Sequence, residues 1–185
     1  MGRPSVRDAR RAKIVSAFAR VLADHGYAGA TIVAVADEAG VAPGLIHHHF
    51  DDKQDLLTAL LELLLRKFRG RVRQQEPSGD LLEAYIDGTL RLDANADTTA
   101  ARCWVGVFAE AVRNPDLFRK IRKLVDGEIS AIQKRSANRL SAQDAGAVLA
   151  FLVGSLVLGA FAPKKTAGFA APSLRRLVAA LMSGE

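Results

Sequence analysis

Residues 31–53, TIVAVADEAGVAPGLIHHHFDDK, hold the side chains with the most chemical reach. At their centre stand three consecutive imidazoles, His47, His48 and His49. An imidazole can ligate a metal, move a proton, or donate and accept a hydrogen bond at a base edge or phosphate. Successive helical residues step round the axis by about 100°, so three in a row cannot face one ion, and a metal centre is set aside. Reading a base edge asks for less: one outward polar side chain beside a backbone that can approach closely. With Ile46 and Phe50 taken as the inward direction, Gly44 and His48 point outward, His47 and Leu45 lie on the flanks, and His49 falls near the buried side. Gly44 has no side chain to hold its backbone away from a phosphate or base. Lys53 adds a cation to the first turn of the following helix, where phosphate is favoured.

Those residues need short, well-ended helices to hold them. Ile14, Phe18, Val21 and Leu22 mark one face of a helix that should stop at Gly26. Thr31 suits the N-cap of a helix over 32–39, and Gly40 its left-handed end. Pro43 suits the first turn of a second helix running to Phe50, while Ala42 before it offers no capping side chain. Ala36 is small where the two helices must cross, and Val41 fills the angle between them. Asp52 with Asp55 resembles a capping box and opens a long helix through Leu56, Leu57, Leu60, Leu61 and Leu64. Two short helices joined at Gly40 form a helix-turn-helix pattern, which a plain structural hairpin would share.

Charge favours the first reading. The chain of 185 residues carries a formal charge of +6. Arg3, Arg7, Arg10, Arg11 and Lys13 crowd the N-terminal arm with only Asp8 opposing them, and Arg66, Lys67, Arg69, Arg71 and Arg73 form a second run. Such runs suit a polyanion, adding affinity and salt dependence rather than sequence choice.

Val and Ile do not alternate with polar residues, so the remainder also reads as helix, giving an all-α chain of about nine helices. Expected segments are Asp80 to about Ala96, one capped by Thr98 or Thr99 and ending before Pro115, Pro115 to about Arg139, and a Ser141-capped helix to Phe161. A loop over 163–171 and a last helix over 173–182 follow. The division expected is a DNA-binding domain over 1–52 and a second domain over 53–185. An enzyme is not expected: there is no GxxxxGK[ST], GxSxG or HExxH pattern. The single Cys103 excludes an intrachain disulfide. The basic start lacks an apolar run, so no secretory leader is expected and the expected location is the cytoplasm.

The pattern Thr31, Val35-Ala36, Ala39-Gly40-Val41, Gly44, Ile46, Phe50, Lys53 and Leu56 resembles the TetR family of bacterial transcriptional repressors. The chain departs from that family at Ala42, usually Ser, and at His47 and His49, where aromatic residues are common. The segment Cys103 to Ala111, followed by Arg113-Asn114-Pro115, looks most like a BetI-type C-terminal domain. The resemblance implies a homodimeric repressor on a near-palindromic double-stranded operator, modulated by a small molecule. DNA contacts would come from Arg3, Arg7, Arg10, Thr31, Ala42, Pro43, Gly44, Leu45, His47, His48, His49 and Lys53. Tyr85, Cys103, Trp104, Phe108, Glu110 and Phe118 are candidates for the effector site, and each is equally a candidate for the core.

Residues 145–162 are apolar except Ser155, near the length of a membrane span. The resemblance offers another place for them, since the last two long helices of such regulators, here 141–161 and 173–182, form a four-helix dimer interface. Dimer burial is the expectation and a membrane-attached regulator its alternative.

Overall fold

The computed structural model describes residues 5–90 and 98–183. Arg3 and the expected helical residues 91–96 lie outside the described residues. Nine α-helices and one short 3-10 turn account for almost all the rest, and no strand occurs among the described residues.

Helix α1 (Val6–Gly29) is capped by Ser5, whose Oγ accepts from the Asp8 amide at 3.1 Å. It breaks where the expected stop lies: Gly26 has φ 68°, and a last turn continues to Gly29. Helix α2 (Ile32–Ala39) begins at Thr31, whose Oγ1 accepts from the Ala34 amide at 3.1 Å, and ends on Gly40 at φ 60°. Helix α3 (Pro43–His49) has Pro43 in its first turn and no side-chain cap from Ala42. Helix α4 (Lys53–Gln75) is capped by Asp52, which accepts from the Asp55 amide at 2.8 Å. The ends at Thr31, Gly40 and Asp52 follow from local hydrogen-bond chemistry, which is why sequence places them well.

A 3-10 turn (Glu76–Ser78) and left-handed Gly79 reverse the chain into α5 (Leu81–Leu90). Helix α6 (Thr98–Ala111) is followed by α7 (Pro115–Arg135), capped by Asn114. Helix α8 (Ala142–Phe161) has a reciprocal Ser141–Asp144 capping box. Helix α9 runs Pro163–Ser183 with Pro172 inside it, which corrects the expected loop over 163–171 and the expected start at 173. Thr166, Ala170, Leu174 and Val178 are buried at a spacing of four, so one continuous stripe packs the helix in place. That packing outweighs the amide Pro172 lacks.

Two apolar clusters result. One joins Ile14, Phe18, Val35, Ile46 and Phe50 to Leu56, Leu60 and Leu64 of α4 and to Trp104, Val107 and Leu117. The other joins Val72, Ile86 and Ile132 to Val148, Leu152, Leu174 and Val178. The first cluster therefore runs across position 52 without a break, and α4 and α6 finish the core beneath the short helices.

Helix α8 is the one helix among the described residues long and apolar enough to cross a membrane, with mean hydropathy 2.0 over its best window. It is surrounded on one side by its own protomer, against α5, α6, α7 and α9. Ser155 and Gly159 are buried on that inner side. Leu158 and Phe161 face outward, 51% and 78% exposed.

Candidate nucleic-acid interface

Helix α3 sits with Ile46 at 0% and Phe50 at 2% exposure, so its inner edge is fully anchored. Gly44, His47 and His48 are exposed, and Leu45 and His49 half-buried, as the helical wheel places them. A Cβ built on Gly44 meets nothing within 4 Å, so the absent side chain is not a packing requirement of this protomer. Pro43 and Ala42 are exposed beside it. Thr31 is exposed, and its hydroxyl, although it caps α2, keeps its proton free to donate outward.

The rings of His48 and His49 meet edge to face at 5.5 Å. His49 Nδ1 is buried without a hydrogen-bond partner. Desolvation holds the His49 pKa below the ordinary histidine range, helped by His48, Arg7, Arg10 and Arg11. Arg11 stands over the Phe50 ring, an arrangement sequence reading missed: the first turns of α1 lie beside the end of α3, which brings the basic arm next to the imidazoles. No local periodicity signals a contact between segments almost forty residues apart. Arg7 and Arg10 are exposed there. Arg11 is partly committed inward, its guanidinium 4.3 Å over the Phe50 ring and 3.8 Å from Asp55.

Lys53 departs from its expected part. Its Nζ donates to the Tyr27 carbonyl at 2.7 Å and lies 4.1 Å over the Tyr27 ring. The ammonium fastens α4 to the end of α1 instead of standing free for phosphate.

The expected effector residues separate. Tyr85, Trp104 and Phe108 line one apolar cavity of about 90 Å³ among α4, α5, α6, α7 and α8. Trp104 and Phe108 pack with ring centroids 5.5 Å apart, and Tyr85 Oη donates to Glu128 at 2.7 Å. Burial and that carboxylate push the Tyr85 phenol well up. Three residues lie elsewhere, which corrects the expectation. Cys103 is fully buried and its Sγ contacts the Ala19 carbonyl of α1 at 3.1 Å. Phe118, one step of α7 round from inward Leu117, is 53% exposed. Glu110 acts on Tyr27, whose pKa rises to about 12 through burial first, then Glu110 and Asp52. The carboxylate that does line the cavity is Glu128. Among the described residues no cluster of three metal-ligating side chains occurs.

Residues 14–60, the core and outer face just described, match the family model "Bacterial regulatory proteins, tetR family". The chain carries a TetR-family N-terminal domain. Curated relatives extend the likeness to most of the chain. The HTH-type transcriptional regulator BetI of Stenotrophomonas maltophilia is 29% identical over 180 residues, covering 90% of this chain and 91% of its own. BetI of an Escherichia coli strain is 29% identical over 170 residues, covering 86% of each. Among solved structures, a transcriptional regulator from a Rhodococcus species superposes with TM-score 0.83 at 23% identity, covering 94% of this chain and 96% of its own. A TetR-family member from Streptomyces coelicolor superposes with TM-score 0.72 at 25% identity, covering 91% and 97%. The TetR-type fold extends over both halves of the chain, and these relatives are regulators of transcription, not enzymes. At that coarse level this chain is a DNA-binding transcriptional regulator.

Proposed function

We propose that the chain is a homodimeric, cytoplasmic repressor. Residues 1–52 read DNA and residues 53–185 bind a small-molecule effector and form the dimer. The observation that carries this reading is the outer face of α3, with Gly44 and His48 exposed on a helix locked beneath by Ile46 and Phe50. Two such faces related by a two-fold axis would enter major grooves about 34–36 Å apart or somewhat more, so the operator is a near-palindrome. Arg7, Arg10 and Thr31 add phosphate contacts, and His47 and His49 flank the reading face.

The apolar outer side of α8, with Leu158 and Phe161 exposed, supports dimerisation through α8 and α9. Packing of its inner side against α5, α6, α7 and α9, with a third of its apolar window buried, supports a protein partner over lipid for this helix. The cavity against Trp104 and Phe108 supports an effector site. An effector would act by binding the DNA-competent and DNA-incompetent arrangements with different affinity.

Fluorescence anisotropy with duplexes tiled from the DNA flanking the coding region tests the reading. One inverted repeat should bind at least 10³-fold more tightly than scrambled duplex at physiological salt, with two chains per duplex. Uniform weak binding to every duplex would contradict it.

A further inference from the structure

Outside the apolar cavity lies a larger hollow of about 440 Å³, between α4, α5 and α7. Its wall carries Arg69, Arg73, Lys123 and Arg135 against two carboxylates, Glu76 and Glu128. Both carboxylates are already engaged. Glu76 accepts from Arg135 at 3.1 Å, and Glu128 accepts from Tyr85 Oη at 2.7 Å. Among the described residues Arg69, Arg73 and Lys123 take part in no ion pair. Arg135 Nε is buried without a hydrogen-bond partner, its guanidinium 5.5 Å over the Tyr85 ring. A concave site that gathers unpaired cations is shaped for a negative group.

Phe68, Tyr85, Leu124 and Glu128 line both this hollow and the apolar cavity, so the two share a wall. Beyond that wall the lining is mostly apolar, with Leu65, Trp104, Phe108, Leu152 and Leu156, and its one cation, Arg71, has its Nε donating to the Gly88 carbonyl at 3.1 Å. We propose that the two form one bipartite site for an anionic amphiphile. Its acid head would sit among Arg69, Arg73 and Lys123, and its apolar tail would reach Trp104 through the shared wall, where the Phe68 and Tyr85 rings meet edge to face at 5.8 Å. This rests on the reading that an effector enters the helical bundle, and it names the chemical class of that effector. It also gives a role to the second basic run. At 1.5 Å per residue, Arg69 and Arg73 lie about 24 and about 30 Å along α4 from its start at Lys53, far from the reading face.

Decanoate, decyltrimethylammonium and decanol, each below its micelle-forming concentration, share one tail and differ in head charge. Trp104 is the only tryptophan in the chain, so its fluorescence reports occupation of the inner chamber. Decanoate should shift that fluorescence saturably and bind about tenfold or more tightly than the cation and the alcohol. The double variant Arg69→Ala/Lys123→Ala should weaken decanoate about tenfold. Arg66→Ala, which removes an exposed cation paired with Glu62 outside both chambers, should not. Equal or tighter binding of the cation, or unchanged affinity in the double variant, would overturn the proposal. So would a double variant that loses DNA affinity and salt dependence while binding decanoate normally, since those cations would then be phosphate contacts.

Operator anisotropy run alongside separates the two levels. Decanoate binding with no change in operator affinity keeps the site and removes its effector role. Release of DNA by the cationic amphiphile, without decanoate binding, keeps the effector reading and removes the anionic class.

Discussion

Position 44 separates reading from folding. A Cβ there meets nothing, and alanine favours helix over glycine by about 0.8–1.0 kcal/mol. Gly44→Ala should therefore leave thermal stability unchanged or slightly raised in a calorimetric scan, yet weaken operator binding at least tenfold by holding the backbone off the DNA. A variant that melts lower would assign the glycine to the core instead. The imidazoles make a second prediction. Burial first, and then neighbouring cations, lower the His49 pKa in the free protein. Nearby phosphate favours the charged form of the His49 ring, so DNA binding takes up a proton there and operator affinity rises as pH falls from 8 to 6. A titration at constant salt that stays flat would remove His49 from phosphate contact. Residue roles set by local chemistry were legible in sequence: Thr31, Gly40, Asp52 and the outward Gly44–His48 pair each follow from a cap or a wheel. Lys53, Glu110 and Phe118 were not. Their directions depend on Tyr27 and on the rotation of α7, which arise only when distant segments meet.

Most helices were legible because their ends carry caps, and α9 shows the limit of that rule. Proline predicts a boundary from local geometry, whereas α9 continues because its stripe from Thr166 to Val178 is buried on both sides of Pro172. Pro172→Ala should accordingly stabilise the fold, by about 1–3 kcal/mol after the gain in unfolded-chain entropy is counted. An unchanged melting temperature would argue that the helix is interrupted there. The crossing of α4 and α5 was also hidden from periodicity. A Cβ on Gly88 would stand 2.6 Å from Val72 Cα, so the two backbones approach too closely for any side chain. Gly88→Ala should cost about 2 kcal/mol, lowering Tm by about 4–8 °C. A neutral outcome would mean that the helices separate freely.

At the scale of the whole molecule, one of the two apolar clusters underlies the proposed reading head and also borders the cavity. The cluster under the reading helices includes Trp104 and Val107, and Trp104 also lines the apolar cavity. Trp104 thus packs at once against the core beneath α2 and α3 and against the cavity. The apolar length of 145–162 was plain in sequence, but its sidedness was not, because hydropathy carries no information on which neighbours cover a helix. Phe161→Glu places a charge on the outer side of α8, away from the protomer core. Sedimentation velocity should find the parent chain dimeric and this variant largely monomeric, with helicity retained. A variant that remains dimeric would move the interface elsewhere.

The outward imidazole of α3 is the point at which the whole account is most exposed. Comparing His48→Ala with the parent chain on operator and scrambled duplexes, at one salt concentration, measures its part in sequence choice. The ratio of the two affinities should fall by about 1–3 kcal/mol per half-site, roughly tenfold or more, while scrambled-duplex binding barely moves. An unchanged ratio, or an equal loss on both duplexes, would show that this face does not read bases.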